Sequence, residues 1–192
     1  ERFNPVVKEM KRILTDEGVI NADFERTNRL SSRITDVDVV LDLMIHDIDL
    51  ALYLNGPIKQ VVAFGQKENG IVAFASALFH HENGALSRVL ASRMTEKKIR
   101  SIQITTDKSY VDGDLLRKEL IIHQQSSTVQ EVDKPYVISS LEQQVQVLPQ
   151  EALLTELQAF IALCSGESVD IPDIDAGLSS LMISEQILNS IG

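Results

Sequence analysis

Tryptophan is absent from this chain, and cysteine occurs once, at Cys164. A single cysteine excludes an internal disulfide and a cysteine-rich metal site. It also fits a reducing cytoplasm, the expected location. At its position on an apolar helix face, Cys164 reads as a core residue rather than a nucleophile. Basic residues are scarce as well: 18 Lys and Arg stand against 28 Asp and Glu, a formal charge of −10. Nucleic acid and anionic membranes are held by clustered Lys and Arg, so neither is expected as a partner. No apolar run approaches the roughly 18 residues of a membrane span, and no signal peptide is expected. The chain has no initiator Met but opens Glu1-Arg-Phe-Asn-Pro5, so its true N-terminus is expected elsewhere.

Motifs are missing too. No GxGxxG follows a strand, and no phosphate-binding GxxxxGK[ST], HExxH, EF-hand loop or Gly-x-Ser-x-Gly occurs. The four histidines, His46, His80, His81 and His123, lack the spaced partners of a zinc site. Strands and helices do not alternate as a doubly wound nucleotide domain requires.

What is present is concentrated in Asp36 to Leu50. Read as a helix over about 37 to 54 and ended by Gly56-Pro57, it places Asp38, Asp42, His46, Asp49 and Tyr53 within ~80° of arc. Most of its other positions are apolar, from Val39 to Leu54. A helix buried on most sides with one narrow polar stripe is not an ordinary surface helix; the stripe is expected to line a cleft. Asp47 points away from the stripe and reads as structural.

The remaining pattern defines the fold class. The 192 residues, 44% hydrophobic and 24% charged, suit one domain with a sizeable core. Residues 4 to 18 read as a helix capped by Asn4 and started by Pro5. Strands are predicted at 19–27, 59–66, 71–80, 85–94, 99–105, 109–112, 119–123 and 128–132. Asn69-Gly70 and Asn83-Gly84 mark hairpins. Residues 134 to 148 read ambiguously. Two helices close the chain, Pro149 to Cys164, with Leu153, Leu154, Leu157, Phe160 and Ile161 on one face, and Asp175 to Ile191. The expected architecture is α+β: a large, mostly antiparallel open sheet with helices on one face. The strand at 71–80 is apolar on both faces, so the uncovered sheet face is expected to meet another copy, as a homodimer or homotetramer.

Three segments carry a resemblance. Glu1 to Pro5, Arg26-Thr-Asn-Arg29 with Arg33, and Val40-Leu-Asp-Leu-Met-Ile-His-Asp-Ile-Asp49 closely resemble the C-terminal part of the Gfo/Idh/MocA oxidoreductases. Ala91-Ser-Arg-Met-Thr95 and the helix after Asp173 fit as well. The resemblance covers essentially residues 1–192. It implies a two-domain protein in which an N-terminal dinucleotide domain binds NAD or NADP. The present chain would be the C-terminal substrate-binding and oligomerisation domain. The family's Gly-rich loop and its Glu-Lys-Pro segment, whose lysine takes part in catalysis, are not in this sequence, so the chain alone is expected to be inactive.

The resemblance also implies a reaction: hydride transfer between a secondary alcohol on a sugar or cyclitol and nicotinamide. Thr27 to Asp49 is most similar to members that oxidise nucleotide-activated amino sugars at a ring 3-hydroxyl. A histidine with an ordinary pKa near 6.5 suits removal of the hydroxyl proton. Asp42, one helical turn before His46, can hold the imidazole tautomer or relay the proton. The resemblance assigns catalysis to Asp42 and His46; a structural pair tying the helix to a loop is the competing reading. Asn28, Arg29 and Arg33 are candidate substrate ligands, since Arg forks grip phosphates and carboxylates. Salt bridges to Asp36 or Asp38 are their alternative. Asp49 is a further substrate-side candidate, read as an orienting carboxylate or a helix-packing group. A non-catalytic binding or oligomerisation module is the competing reading of the whole chain.

Overall fold

The computed structural model describes residues 1–29, 36–125 and 140–192. Asn4 caps the first helix: its side-chain oxygen accepts the Val6 N–H at 3.1 Å. Pro5 then starts α1, Pro5–Ile13, which ends in a 3-10 turn at Leu14–Asp16. Strand β1, Val19–Thr27, turns Ala22, Phe24 and Arg26 inward. After the polar segment, a π-helical turn at Val40–Met44 runs directly into α2, Ile45–Asn55. The uniform helix expected over 37–54 is therefore corrected at its start. There the Ile45 N–H reaches back to the Val40 carbonyl, giving one wide turn.

Seven further strands follow: β2 Ile58–Glu68, β3 Ile71–His81, β4 Leu86–Ser92, β5 Ile99–Thr106, β6 Ser109–Asp114, β7 Glu119–Gln125 and β8 Ser140–Gln144. Asn69 and Gly70 both adopt positive φ, 53° and 84°, which the tight β2–β3 turn demands. With β1 they form one eight-stranded sheet in the order β2-β3-β4-β1-β5-β6-β7-β8. Every neighbouring pair is antiparallel except β1 and β4, where Phe24 lies opposite Val89 in parallel register. β8 falls within the stretch whose pattern was ambiguous; the strand expected at 128–132 lies outside the described residues.

Helices cover one sheet face. Val6, Val7 and Met10 of α1, Val40 and Met44 of the π turn, and Ile48 and Ala51 of α2 meet Phe24, Ala77, Phe79, Val89, Ile102 and Val111 in the core. The last helix, α4 Ile174–Ile191, is capped by the Asp173 carboxylate and adds Ile183 and Ile187. The helix before it, α3 Ala152–Cys164, buries none of its residues. Its leucines and Phe160 are exposed, and so is Cys164, which corrects the core reading of that cysteine. The physical reason is plain: no described element covers the helix. On the opposite sheet face Val62, Phe64, Leu78, Leu86 and Tyr110 are exposed. Among the described residues no helix is long and apolar enough to cross a membrane.

Candidate active site

The polar stripe survives as a feature of the π turn and α2, but its members have different surroundings. His46 is exposed on α2. Crowding by its neighbours, and next the positive charge of Arg26, hold its imidazole below the ordinary histidine value, against the pull of Glu1. It is thus neutral at neutral pH and free to accept a proton. Asp42 lies on the π turn with its side chain 32% exposed. Its Oδ2 accepts a bond from Arg93 Nη2 at 2.9 Å. Among the described residues no hydrogen bond joins Asp42 to His46.

Asp49 is held more tightly. Arg2 donates from Nε and Nη2 to its two oxygens at 2.8 and 2.6 Å, a bidentate pair. The same guanidinium lies 4.7 Å from the centre of the Tyr53 ring, as does the Lys11 ammonium. This far end of the stripe opens into a cleft of about 430 Å³ lined by Arg2, Phe3, Lys8, Lys11, Tyr53 and Pro172. The opening Glu-Arg-Phe-Asn-Pro segment therefore folds back onto the stripe.

The loop candidates divide. Asn28 follows β1, and its N–H donates to the Ser92 carbonyl at 3.0 Å, which seats it beside the residue preceding Arg93. Arg29 is exposed and pairs with Glu96, not with Asp36 or Asp38. The Asp38 carboxylate instead accepts the Val72 N–H at 2.6 Å. Arg33 lies outside the described residues.

Several cations at the site were not singled out from the sequence: Arg2 and Lys11 at the cleft, and two more beside α2. Arg93 is one of these two. The other is Arg26, buried under the helix, which donates from Nε and Nη2 to Asp47 at 2.8 Å each and from Nη1 to Glu1 at 2.7 Å. Burial raises the Asp47 carboxyl while Arg26 draws it down. With two parallel bonds from a permanent cation, the pair is ionised at neutral pH. Asp47 is structural, as its position opposite the stripe implied. Alternation along β1 was the signal for Arg26: it shares the inward parity of Ala22 and Phe24.

The pyrophosphate of a dinucleotide ordinarily sits on free helix N-terminal amides. α1 begins with Pro5, which has no N–H, and Asn4 takes the Val6 N–H. Glu151 precedes α3, and α4 has Asp173 and Asp175 at its start. The π turn is entered past Asp36 and Asp38 and carries Asp42. These residues do not fit a dinucleotide diphosphate. Among the described residues no group of acidic, histidine or cysteine side chains could hold a metal ion.

Comparison with known proteins agrees with this layout. The family described as GFO/IDH/MocA C-terminal domain matches residues 18–111, which include the stripe and most of the sheet. The solved UDP-N-acetylglucosamine 3-dehydrogenase of Acidithiobacillus ferrooxidans superposes with a TM-score of 0.86 at 26% identity, over 99% of this chain and 60% of that chain. The chain belongs to the Gfo/Idh/MocA family. Within that family it is a C-terminal domain. The curated sequence of the same Acidithiobacillus enzyme is 29% identical over 142 residues, which is 72% of this chain and 44% of that protein. Levoglucosan dehydrogenase, solved in complex with NADH, shares the fold with a TM-score of 0.76 at 17% identity, over 98% of this chain and 61% of that one. This Gfo/Idh/MocA domain thus spans about half the length of the relatives it matches.

Proposed function

We propose that this domain supplies the substrate side of an NAD(P)-dependent dehydrogenase active site acting on a secondary alcohol of a sugar or cyclitol. The observation that supports this reading is His46: exposed on α2, four residues after Asp42, with its imidazole held below the ordinary histidine value by burial and by the charge of Arg26. An imidazole so placed takes the proton of a bound hydroxyl, which makes loss of hydride from the adjoining carbon easier. Asp42 Oδ2 is engaged by Arg93, and among the described residues Oδ1 has no partner, so it can accept a substrate hydroxyl. The hydride acceptor, NAD or NADP, is held by residues outside this domain, consistent with helix starts that do not suit a diphosphate. Likeness to the Acidithiobacillus enzyme favours a UDP-linked amino sugar oxidised at its 3-hydroxyl.

The gene's complete product, assayed with NAD+ and UDP-N-acetylglucosamine, is expected to produce NADH. Turnover with inositol and none with the nucleotide sugar would reassign the substrate. Absence of any sugar or cyclitol oxidation would leave a binding module as the better reading.

The exposed apolar face of the sheet supports a second part of this proposal, a homodimer formed through that face. Phe64 is 75% exposed in the middle of β2, two residues beyond Val62, which lies opposite Leu78, and Leu86 is exposed on the same face. A patch of this kind ordinarily meets a partner. Sedimentation at micromolar concentration should give a dimer, and Phe64→Glu a monomer; a monomeric unmutated protein rejects the interface.

A further inference from the structure

Arg93 touches both the entry to the π turn and the carboxylate it carries. It follows β4 by one residue, and its backbone N–H donates to the Ala73 carbonyl of β3 at 2.9 Å. From that anchored base the side chain, only 9% exposed, reaches in two directions. Nη1 donates to the Val37 carbonyl, and Nη2 donates to Asp42 Oδ2 at 2.9 Å. One guanidinium therefore clamps residues 37 and 42, on either side of the point where the wide turn begins. Asp38, between them, is tied to β3 through the Val72 N–H at 2.6 Å. A rigid fork can make this double attachment; an ammonium on a flexible stem cannot make it in the same plane.

The clamp holds a conformation that local preference alone does not favour. A π turn is rare and occurs chiefly where surrounding structure and function require it. The Nε of Arg93 is buried with no hydrogen-bond partner among the described residues. Such an unpaired donor is unusual in native structures and calls for an explanation. The committed Nη atoms provide one: the fork is oriented for Val37 and Asp42, and Nε is left over.

We propose that Arg93 is the positioning residue of this site, holding the π turn open and aiming Asp42 Oδ1 at the substrate while itself touching no substrate atom. This rests on the catalytic reading of Asp42 and His46. Displacement of a positioned group by about 1 Å can cost on the order of 10²-fold in rate, which sets the scale of the expected effect.

Two measurements on the complete gene product test it. The first needs no substrate: in Arg93→Ala, hydrogen exchange of the amides at 41–45 should rise at least ~10-fold, as local opening is no longer opposed, with the β3 and β5 amides unchanged. Unaltered exchange at 41–45 overturns the clamp. The second is kinetic, with UDP-N-acetylglucosamine and NAD+. Arg93→Ala should lower kcat on the order of 10- to 100-fold with KM within about threefold. Millimolar guanidinium should restore part of kcat, and Arg93→Lys should fall between. A kcat within twofold of the unmutated protein, while Asp42→Asn is inactive, overturns the positioning role and leaves the site reading standing. Full activity of Asp42→Asn rejects the site reading, and the positioning role with it. A kcat loss that follows a lowered melting midpoint and does not respond to guanidinium also overturns the proposal, since a general loss of fold explains it.

Discussion

His46 and Asp47 are neighbours in the chain, yet they belong to opposite regimes of protein electrostatics. On one side of α2, Asp47 and Arg26 are almost fully enclosed and joined by two bonds of 2.8 Å, with Glu1 as a second acceptor. On the other side His46 is exposed, and Asp42 is partly open to solvent. Charged groups taken from water are tolerated only when they are paired and hydrogen-bonded; each of the three guanidinium nitrogens of Arg26 has a carboxylate partner within the protein. The open side leaves valences unmet where solvent, or a ligand, can meet them. The difference teaches that polarity on a buried helix has two distinct uses, and that the number of satisfied bonds tells them apart.

The comparison can be broken most forcefully at Asp47. Asp47→Ala leaves Arg26 enclosed with only Glu1, so unfolding in urea should show a loss of about 3 kcal/mol. Replacing both partners, Arg26→Met with Asp47→Leu, should recover most of that loss, because an enclosed apolar pair needs no compensating bonds. A loss under about 0.5 kcal/mol in Asp47→Ala would mean that the pair is not a structural element of this kind.

His46 should behave in the converse manner. His46→Ala should change stability by under about 0.5 kcal/mol, the ordinary range for an exposed site. In the complete gene product it should lower kcat on the order of 10²-fold with little change in KM. An unaltered kcat would move His46 to the structural side of the comparison.

The smallest expected effect is on pH dependence. His81 is enclosed; one ring nitrogen lies 2.8 Å from the Gly56 carbonyl and the other 2.8 Å from Ser87 Oγ. The first contact requires N–H on Nδ1, so Ser87 donates to Nε2, while Asn55 donates to the same hydroxyl at 2.8 Å. Burial holds the His81 imidazole below its ordinary value of about 6.5. The unfolded chain therefore takes up its proton at a higher pH than the folded chain does. This contribution to stability is complete above about pH 6.5 and is lost as pH falls below it, by at most ~1.4 kcal/mol per pH unit for one proton. Denaturation midpoints recorded between pH 7.5 and 5 should decline, and His81→Gln should flatten the decline. An equally steep decline in that variant would assign the effect to other groups, of which His46 is the nearest in kind.

Much of this organisation was legible in the sequence, for reasons that are local. Asn-Gly at 69–70 needs positive φ, and the structure has it there. The apolar run around the stripe could only belong to an enclosed helix, and Val40, Met44, Ile48 and Ala51 are buried accordingly. That Asp47 points away from the stripe follows from helical rotation alone. Where reading failed, the missing information was not local. Helical periodicity assumed 3.6 residues per turn and could not register the wider turn at Val40–Met44. The apolar face of α3 looked like core, but an apolar pattern states that a face is suited to burial without stating what buries it.

The amino-acid order by itself determined the class of fold, the hairpins, the buried helix with its polar stripe, and membership of the Gfo/Idh/MocA family. Each depends on residues within a few positions of one another, or on a motif read in order. Only the tertiary structure decided what each charge on that helix does. Arg26 meets Asp47 across 21 positions, Arg2 meets Asp49 across 47, and Arg93 meets Asp42 across 51. Those meetings depend on strand order and on where β1, β4 and the opening segment end relative to α2. An ion pair acts over a few ångströms of space, and distance along the chain does not predict that separation once a sheet has folded.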